Sequence, residues 1–121
     1  MAIYFSGEWC PACRTFTPIL TKNYKLWNEK EKKIEVVFIT GDRDEKSFKQ
    51  YFGKMPWLAL PYSSRDINEE LEKQYDIQGI PCLLIVDKKG KILKKDARDD
   101  VQGKGEGALA IIIRLEIIYL I

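Results

Sequence analysis

The segment Trp9-Cys10-Pro11-Ala12-Cys13 follows a short apolar run, Ala2 to Ser6, near the start of the chain. The apolar run is rich in β-favouring residues and predicts a buried strand. A proline directly after the first cysteine is typical of the first turn of a helix. Two cysteines at this spacing can be a redox pair, half of a zinc site or two unrelated core thiols. The strand-to-helix context favours the redox pair.

The predicted helix gives the two cysteines different roles. Cys10 lies at its N-terminus, where the unpaired N–H groups and the helix dipole favour the thiolate form. Cys13 lies one turn later on the same face, within bridging distance. We therefore predict that Cys10 is the nucleophile that attacks a substrate disulfide. Cys13 is then the more buried resolving thiol that releases the product.

The composition excludes several other kinds of chemistry. The chain has 121 residues, enough for one domain, and contains no histidine, so no imidazole base or Cys–His pair can exist. Three cysteines do not complete a four-ligand zinc site, and no metal is predicted. The net charge of +2, with acidic and basic residues interleaved, indicates neither a nucleic-acid surface nor a membrane surface. An odd cysteine count without a signal-peptide pattern predicts a reducing intracellular compartment.

The remaining sequence alternates predicted strands and helices. The helix that begins at Pro11 should be kinked by Pro18. It is followed by a strand over 34–40, helices over 45–52 and 65–75, a strand over 82–86 and an edge strand over 91–94. This order predicts an α/β fold whose sheet is parallel in its early part and antiparallel at the hairpin end.

The C-terminal part has a different composition. Residues 102–107 contain three glycines and are expected to form a flexible linker. Residues 108–121 are strongly apolar but too short and too charged for a membrane span. We expect a helix docked on the sheet there, with a poorly ordered tail as the alternative.

A second proline joins the candidate site. Ile80-Pro81 ends a turn directly before the strand over 82–86, and a proline there leaves a neighbouring backbone edge free for an extended substrate. From the residues alone, an ordinary trans turn is the expected form. The third thiol, Cys82, comes next. Its first interpretation is a small buried hydrophobe in a strand, and its second is a regulatory thiol that forms mixed disulfides.

These motifs resemble the thioredoxin superfamily, and more closely its tryparedoxin and nucleoredoxin branch. The resemblance rests on Trp-Cys-Pro-Ala-Cys-Arg after a strand, on Gly-Ile-Pro before another strand, and on the Met-Pro-Trp segment over 55–61. It covers residues 3–101 and implies a thioredoxin-like fold over 1–101, with a central mixed β-sheet flanked by helices. The linker and apolar tail would occupy 102–121. Because the chain begins inside the expected first central strand, the N-terminal hairpin of the branch looks truncated.

The resemblance also implies roles for particular residues. Pro81 should be cis and face the cysteine pair, with Ile80 beside it. Trp9, Pro11 and Ala12 belong to the expected active-site environment, and Trp57 and Arg98 are candidate substrate-binding residues. Trp57 could equally be a core residue, and Arg98 could more simply be a solvated surface charge.

One departure from typical thioredoxins concerns the proton on Cys13. Typical members carry a buried aspartate six residues before the first cysteine, and Tyr4 stands at that position here. The resolving thiol must therefore lose its proton by another route. The dipeptide Pro-Ala between the cysteines also differs from the usual ones, which leaves the redox potential open.

We predict a monomeric enzyme that reduces disulfides of protein substrates and needs no cofactor. A reductase or a small thiol would regenerate it, and neither a nucleic acid nor a membrane is an expected partner. The expected location is the cytoplasm, with the nucleus as a further compartment. The alternative is a redox-sensing binding module that controls a signalling partner through its thiol state. An inactive structural domain is the third reading, which the intact cysteine pair disfavours.

Overall fold

The computed structural model describes the backbone of residues 1–120 and the side chains of residues 1–114. Its strands are β1 (Ala2–Ser6), β2 (Val36–Thr40), β3 (Leu58–Ala59), β4 (Cys82–Val86) and β5 (Ile92–Lys94). They form a five-stranded sheet in the order β3-β2-β1-β4-β5. β1, β2 and β3 are parallel, whereas β4 and β5 are antiparallel to their neighbours. The predicted mixed sheet is confirmed.

Helices cover both faces of the sheet. They are α1 (Pro11–Trp27), α2 (Glu45–Phe52), α3 (Arg65–Gln74), α4 (Arg98–Lys104) and α5 (Ala108–Leu120). α1 begins at Pro11 as predicted, and it continues through Pro18 as one uninterrupted helix. The Asp44 side chain caps α2 by accepting a hydrogen bond from the Ser47 N–H, as is usual for aspartate at this position.

The two-residue period of the strands separates two hydrophobic clusters. In β1, Tyr4 faces the helices α1, α2, α4 and α5, whereas Ile3 and Phe5 face α3. Strands in the middle of such a sheet are buried on both faces, so they are almost continuously apolar. β1 and β4 are buried along their whole length. The cysteine-bearing helix α1 therefore packs on the Tyr4 side of the sheet.

The C-terminal segment corrects one prediction. Residues 102–107 were expected to be a flexible linker, but α4 includes residues up to Lys104, and Gly105–Gly107 forms a 3-10 turn. Val101 and Ala108 on either side of the turn are fully buried, and Trp27 donates its indole N–H to the Glu106 carbonyl at 2.9 Å. Burial of these flanking residues holds the segment in helical form despite its glycines. None of the helices that the structure describes is both long and apolar enough to cross a membrane.

Candidate active site

The junction between β1 and α1 holds the cysteine pair. Cys10 is the N-cap of α1, and its Sγ accepts a hydrogen bond from the Cys13 N–H at 3.3 Å. Cys10 is 7% exposed, Cys13 is fully buried, and both are free thiols. The difference in exposure has the predicted sign but is small, because the Cys10 thiol lies against the Ile80 carbonyl and is itself buried. Pro11 and Ala12, between them, are exposed.

The end of β2 holds the loop before Cys10. The Trp9 indole N–H donates to the Gly41 carbonyl at 2.9 Å, and the Glu8 N–H donates to Asp42 Oδ1 at 2.8 Å. Asp42 is almost completely buried, while Trp9 is 55% exposed beside Cys10. The Arg43 guanidinium lies 5.7 Å from the centre of the Trp9 ring, a cation–π distance. These contacts hold the loop before Cys10 against the residues that follow β2. The sequence did not indicate that β2 contributes to the site.

The turn that carries Pro81 lies beside the cysteine pair. The Ile80–Pro81 peptide bond is cis, as the resemblance implied. The Cys10 thiol donates to the Ile80 carbonyl at 3.8 Å, so the turn before β4 touches the N-terminus of α1. Pro81 itself is buried, and Ile80 is half-buried. The predicted residues of the active-site environment are thus brought together.

A groove of about 380 Å³ runs beside this proline, and Arg98 lies in its wall. The Arg98 Nε donates to Asp96 Oδ2 at 2.8 Å, which holds the guanidinium at the groove. Asp96 in turn accepts the Leu83 N–H at 3.2 Å. Arg98 therefore lies at a groove beside Pro81, and its contact with a substrate stays a prediction.

The expected position of Trp57 at the site is corrected by the structure. Trp57 is only 4% exposed and belongs to the core cluster on the α1 face. Its ring packs edge-on against Tyr4 at 6.0 Å and Tyr24 at 5.4 Å between centroids. Because its ring is buried against Tyr4 and Tyr24, its role is to support the core.

A chain of buried hydroxyl groups lies behind Cys13. The Tyr4 and Thr17 oxygens are 2.6 Å apart, Thr17 and Tyr51 are 2.5 Å apart, and Tyr51 and Ser6 are 2.8 Å apart. Burial raises the pKa of Tyr4 and of Tyr51, so both stay neutral. Tyr4 therefore replaces a charged carboxyl with a hydroxyl network. Sequence reasoning missed Ser6, Thr17 and Tyr51, although polar residues on apolar faces were a usable signal.

The resolving thiol is held in its protonated form. Burial, together with the hydrogen bond to Cys10, raises the pKa of Cys13 to about 11. Hydrogen bonds from the Ser6 hydroxyl and from the Gly7 backbone favour the thiolate and oppose that rise. Deprotonation of Cys13 is therefore a costly step that depends on its local hydrogen-bond donors.

The third thiol faces away from this network. Cys82 is 8% exposed, belongs to the cluster on the α3 face, and donates its S–H to the Lys95 carbonyl at 3.3 Å. Burial, reinforced by the Asp96 carboxylate, raises the pKa of Cys82 to about 11. Since thiolates are the reactive form, this environment disfavours reaction at neutral pH.

Alkylation of Cys82 is expected to be slow in the folded protein. A pKa raised from 9 to about 11 lowers the thiolate fraction near pH 8 by about 100-fold. Native and urea-unfolded samples would be treated with iodoacetamide, and the labelling of the Cys82 peptide would be followed by mass spectrometry. Equal labelling rates in the two samples would contradict this expectation.

Comparison with known proteins agrees with this geometry. Residues 1–92 match the family model of thioredoxin-like proteins. The chain belongs to the thioredoxin-like family. It is 46% identical over 101 residues to nucleoredoxin of Xenopus laevis, an alignment that covers 84% of this chain and 24% of that protein. This thioredoxin-like chain thus spans about a quarter of the length of the nucleoredoxins it matches.

Solved structures lead to the same branch. Tryparedoxin from Trypanosoma brucei superposes with a TM-score of 0.82 at 42% identity, covering 88% of this chain and 74% of that one. A tryparedoxin II complexed with glutathionylspermidine gives the same TM-score, identity and coverage. The resemblance to the tryparedoxin and nucleoredoxin branch is confirmed, and it supports thiol–disulfide redox chemistry in this thioredoxin-like chain.

Proposed function

We propose that the chain reduces disulfides of protein substrates through the Cys10–Cys13 dithiol. The observation that carries this proposal is the position of Cys10 Sγ. It caps α1, lies 3.3 Å from the Cys13 N–H and touches the carbonyl of the residue before cis Pro81. A nucleophile, a resolving thiol and the turn that carries the cis proline thus lie together, which supports a disulfide exchange on an extended chain.

The first step forms a mixed disulfide. The Cys10 thiolate attacks one sulfur of the substrate disulfide, a new S–S bond forms, and the substrate's own S–S bond breaks. The second substrate sulfur leaves as a thiolate and takes a proton from solvent. The N–H of Cys13 and the N-terminus of α1 stabilise the attacking thiolate before this step.

The second step releases the product. Cys13 loses its proton, and its thiolate attacks Cys10 Sγ. The Cys10–Cys13 disulfide forms while the mixed disulfide breaks, and the first substrate sulfur leaves as a thiolate that takes up a proton. Two electrons have then passed from the dithiol to the substrate. A dithiol reductase or a small thiol must return them. A tryparedoxin II relative is complexed with glutathionylspermidine, which favours a small molecule as one candidate.

The groove beside Pro81 is the proposed substrate-binding surface. An extended substrate segment would pair with the backbone edge around Gly79 and Ile80, since strand addition uses main-chain hydrogen bonds. Arg98 and Lys95 line the same groove, where each pairs with a carboxylate, Asp96 and Asp76 respectively, so they would offer the substrate hydrogen-bond donors more than net charge. Trp9 would cover the opposite side of the reacting sulfurs.

Reduction of insulin disulfides tests the proposal. With dithiothreitol as the final electron donor, the protein is expected to accelerate the precipitation of the insulin B chain. A Cys82→Ser variant keeps both Cys10 and Cys13 and should keep most of the activity. Although Cys82 borders the groove, its buried thiol donates to the Lys95 carbonyl and stays protonated because its pKa is raised to about 11. A rate no faster than that of dithiothreitol alone would refute the reductase. A partner retained only by the oxidised or only by the reduced protein, without turnover, would instead favour the redox-sensing binding module.

A further inference from the structure

A second cavity lies near the cysteines but outside the groove described above. It measures about 680 Å³ and is formed by α1 and the end of α2. Its wall contains the cations Arg14, Lys22, Lys25 and Lys54 and the single carboxylate Glu8. All four cations are exposed. The feature to explain is this concentration of positive charge.

The four cations of this basic cavity have no internal counterions. Among the side chains that the structure describes, ion pairs form elsewhere, such as Lys32 with Glu35, and none involves these four. The wall carries four positive charges and one negative charge, whereas the whole chain has a net charge of +2. The rest of the chain is therefore slightly acidic. Such an uneven distribution attracts a ligand of opposite charge.

Glu8 indicates that the occupant of the cavity brings a hydrogen-bond donor. Its Oε2 is buried and has no hydrogen-bond partner among the described residues, and the same holds for the Thr21 hydroxyl in the same wall. A buried carboxylate oxygen without a donor costs free energy. An occupant that brings an N–H group to Glu8 would recover part of that cost. A peptide has such a group in every residue except proline, whereas a phosphodiester backbone has none.

The basic cavity adjoins a cavity beside Trp9, the residue before Cys10. Glu8 and Arg14 also line a smaller cavity of about 330 Å³ beside Trp9. Glu8 lies two residues before Cys10 in the loop that β2 holds. An α-helix rises about 1.5 Å per residue, so Lys22 lies about 18 Å along α1 from Cys10. An extended peptide covers that distance in about six residues.

We propose that this basic cavity binds an acidic segment of the substrate protein, two to six residues away from the cysteine that Cys10 attacks. The inference deepens the reductase function and depends on it. The acidic side chains meet Arg14, Lys22, Lys25 and Lys54, and a backbone N–H meets Glu8. Single exposed ion pairs contribute little, but a cluster of like charges steers the encounter and raises the association rate.

Two model substrates test the proposal. Each is a peptide of about ten residues whose single cysteine is disulfide-bonded to 2-mercaptoethanol. One carries Asp and Glu two to six residues from the cysteine, and the other carries Asn and Gln there. The reduced protein should react about tenfold faster with the acidic peptide at low ionic strength, and salt should remove the difference. Equal rates with the two peptides would overturn the proposal.

Charge reversal supplies the control. The triple variant Lys22→Glu/Lys25→Glu/Lys54→Glu should lose the preference for the acidic peptide. The control is the triple variant Lys73→Glu/Lys88→Glu/Lys89→Glu, which changes the net charge by the same amount away from the cavity. It should keep the preference. Loss of preference in both variants would mean general electrostatics and would refute the site. Tight binding of a labelled oligonucleotide that the first triple variant abolishes would also refute it, in favour of a nucleic acid.

The uncharged disulfide of 2-mercaptoethanol separates this proposal from the proposed function. Wild type and both triple variants should reduce it at the same rate, because it reaches Cys10 without using the basic cavity. Failure of all three proteins to reduce it would refute the oxidoreductase itself. Normal reduction of it without any peptide preference would refute only the acidic docking site.

Discussion

Replacing Cys10 by serine is expected to lower disulfide reduction by at least about a thousandfold, because the serine hydroxyl does not ionise at neutral pH and cannot replace the thiolate. The fold should survive the change. Cys10 is the N-cap of α1, and serine is a good N-cap whose oxygen can accept the Cys13 N–H in place of Sγ. The insulin assay and a thermal unfolding curve measure the two quantities separately. Full activity in Cys10→Ser would contradict the assignment of the nucleophile.

Replacing Cys13 by serine should block the second step, so that the mixed disulfide between Cys10 and the substrate forms but is not released. The first exchange can still occur at Cys10, but no second thiol remains one helical turn along α1 to release the substrate. A covalent adduct with the substrate is therefore expected to accumulate and to be visible by mass spectrometry under non-reducing conditions. The double variant Cys10→Ser/Cys13→Ser is the control, and an adduct in it would place the reactive thiol at Cys82.

The strand and helix pattern could be predicted because it follows from local sequence. β1, β4 and α2 have the predicted bounds, since apolar runs and helix caps act within a few residues. β2 is shorter than predicted and begins at Val36, because Ile34 packs in the core before the strand pairing starts. β3 was not predicted: two residues, Leu58 and Ala59, become a strand only through pairing with Val37 and Phe38.

The site could be predicted only in part, because only some of its contacts join residues that are close in sequence. Cys10 and Cys13 are close in sequence, so their geometry follows from one helix turn. The contacts that support them join distant segments: Ser6 and Tyr51 are 45 residues apart, and Trp9 reaches Gly41 across 32 residues. Trp57, by contrast, was predicted to lie at the site and does not. Its motif marked the branch correctly, but only the packed structure shows its ring against Tyr4 instead of beside the thiols.

The hydroxyl groups behind Cys13 lead to an expected pH dependence. Because the pKa of Cys13 is raised to about 11, its thiolate fraction grows about tenfold for each pH unit between pH 7 and 9. In the mixed disulfide, Cys10 is no longer a thiolate that accepts a hydrogen bond from the Cys13 S–H or repels the Cys13 thiolate. Burial, the largest cause of the raised pKa, remains. Release of the substrate should therefore accelerate with rising pH through pH 9.

Ser6→Ala should make this step slower. The Ser6 hydroxyl favours the Cys13 thiolate, so its removal raises the pKa of Cys13 further. A hydrogen bond to a charged group contributes about 1.5–3 kcal/mol, which corresponds to a release rate lower by about 10- to 100-fold at neutral pH. Tyr51→Phe keeps the Ser6 hydroxyl and removes its partner at 2.8 Å, which is also the partner of Thr17 at 2.5 Å, so its effect on Cys13 is indirect and should be smaller.

A chromophoric leaving group makes the release step visible. The mixed disulfide of Cys10 with thionitrobenzoate would be prepared, and the absorbance of the thiol released by Cys13 would be followed by stopped flow across pH 7 to 9. Thr15→Val is the matched control, because the Thr15 hydroxyl is exposed and donates to the Pro11 carbonyl on the same helix. It should follow the wild-type profile. A release rate independent of pH, or a Ser6→Ala profile identical to wild type, would show that the buried hydroxyl does not assist the deprotonation of Cys13.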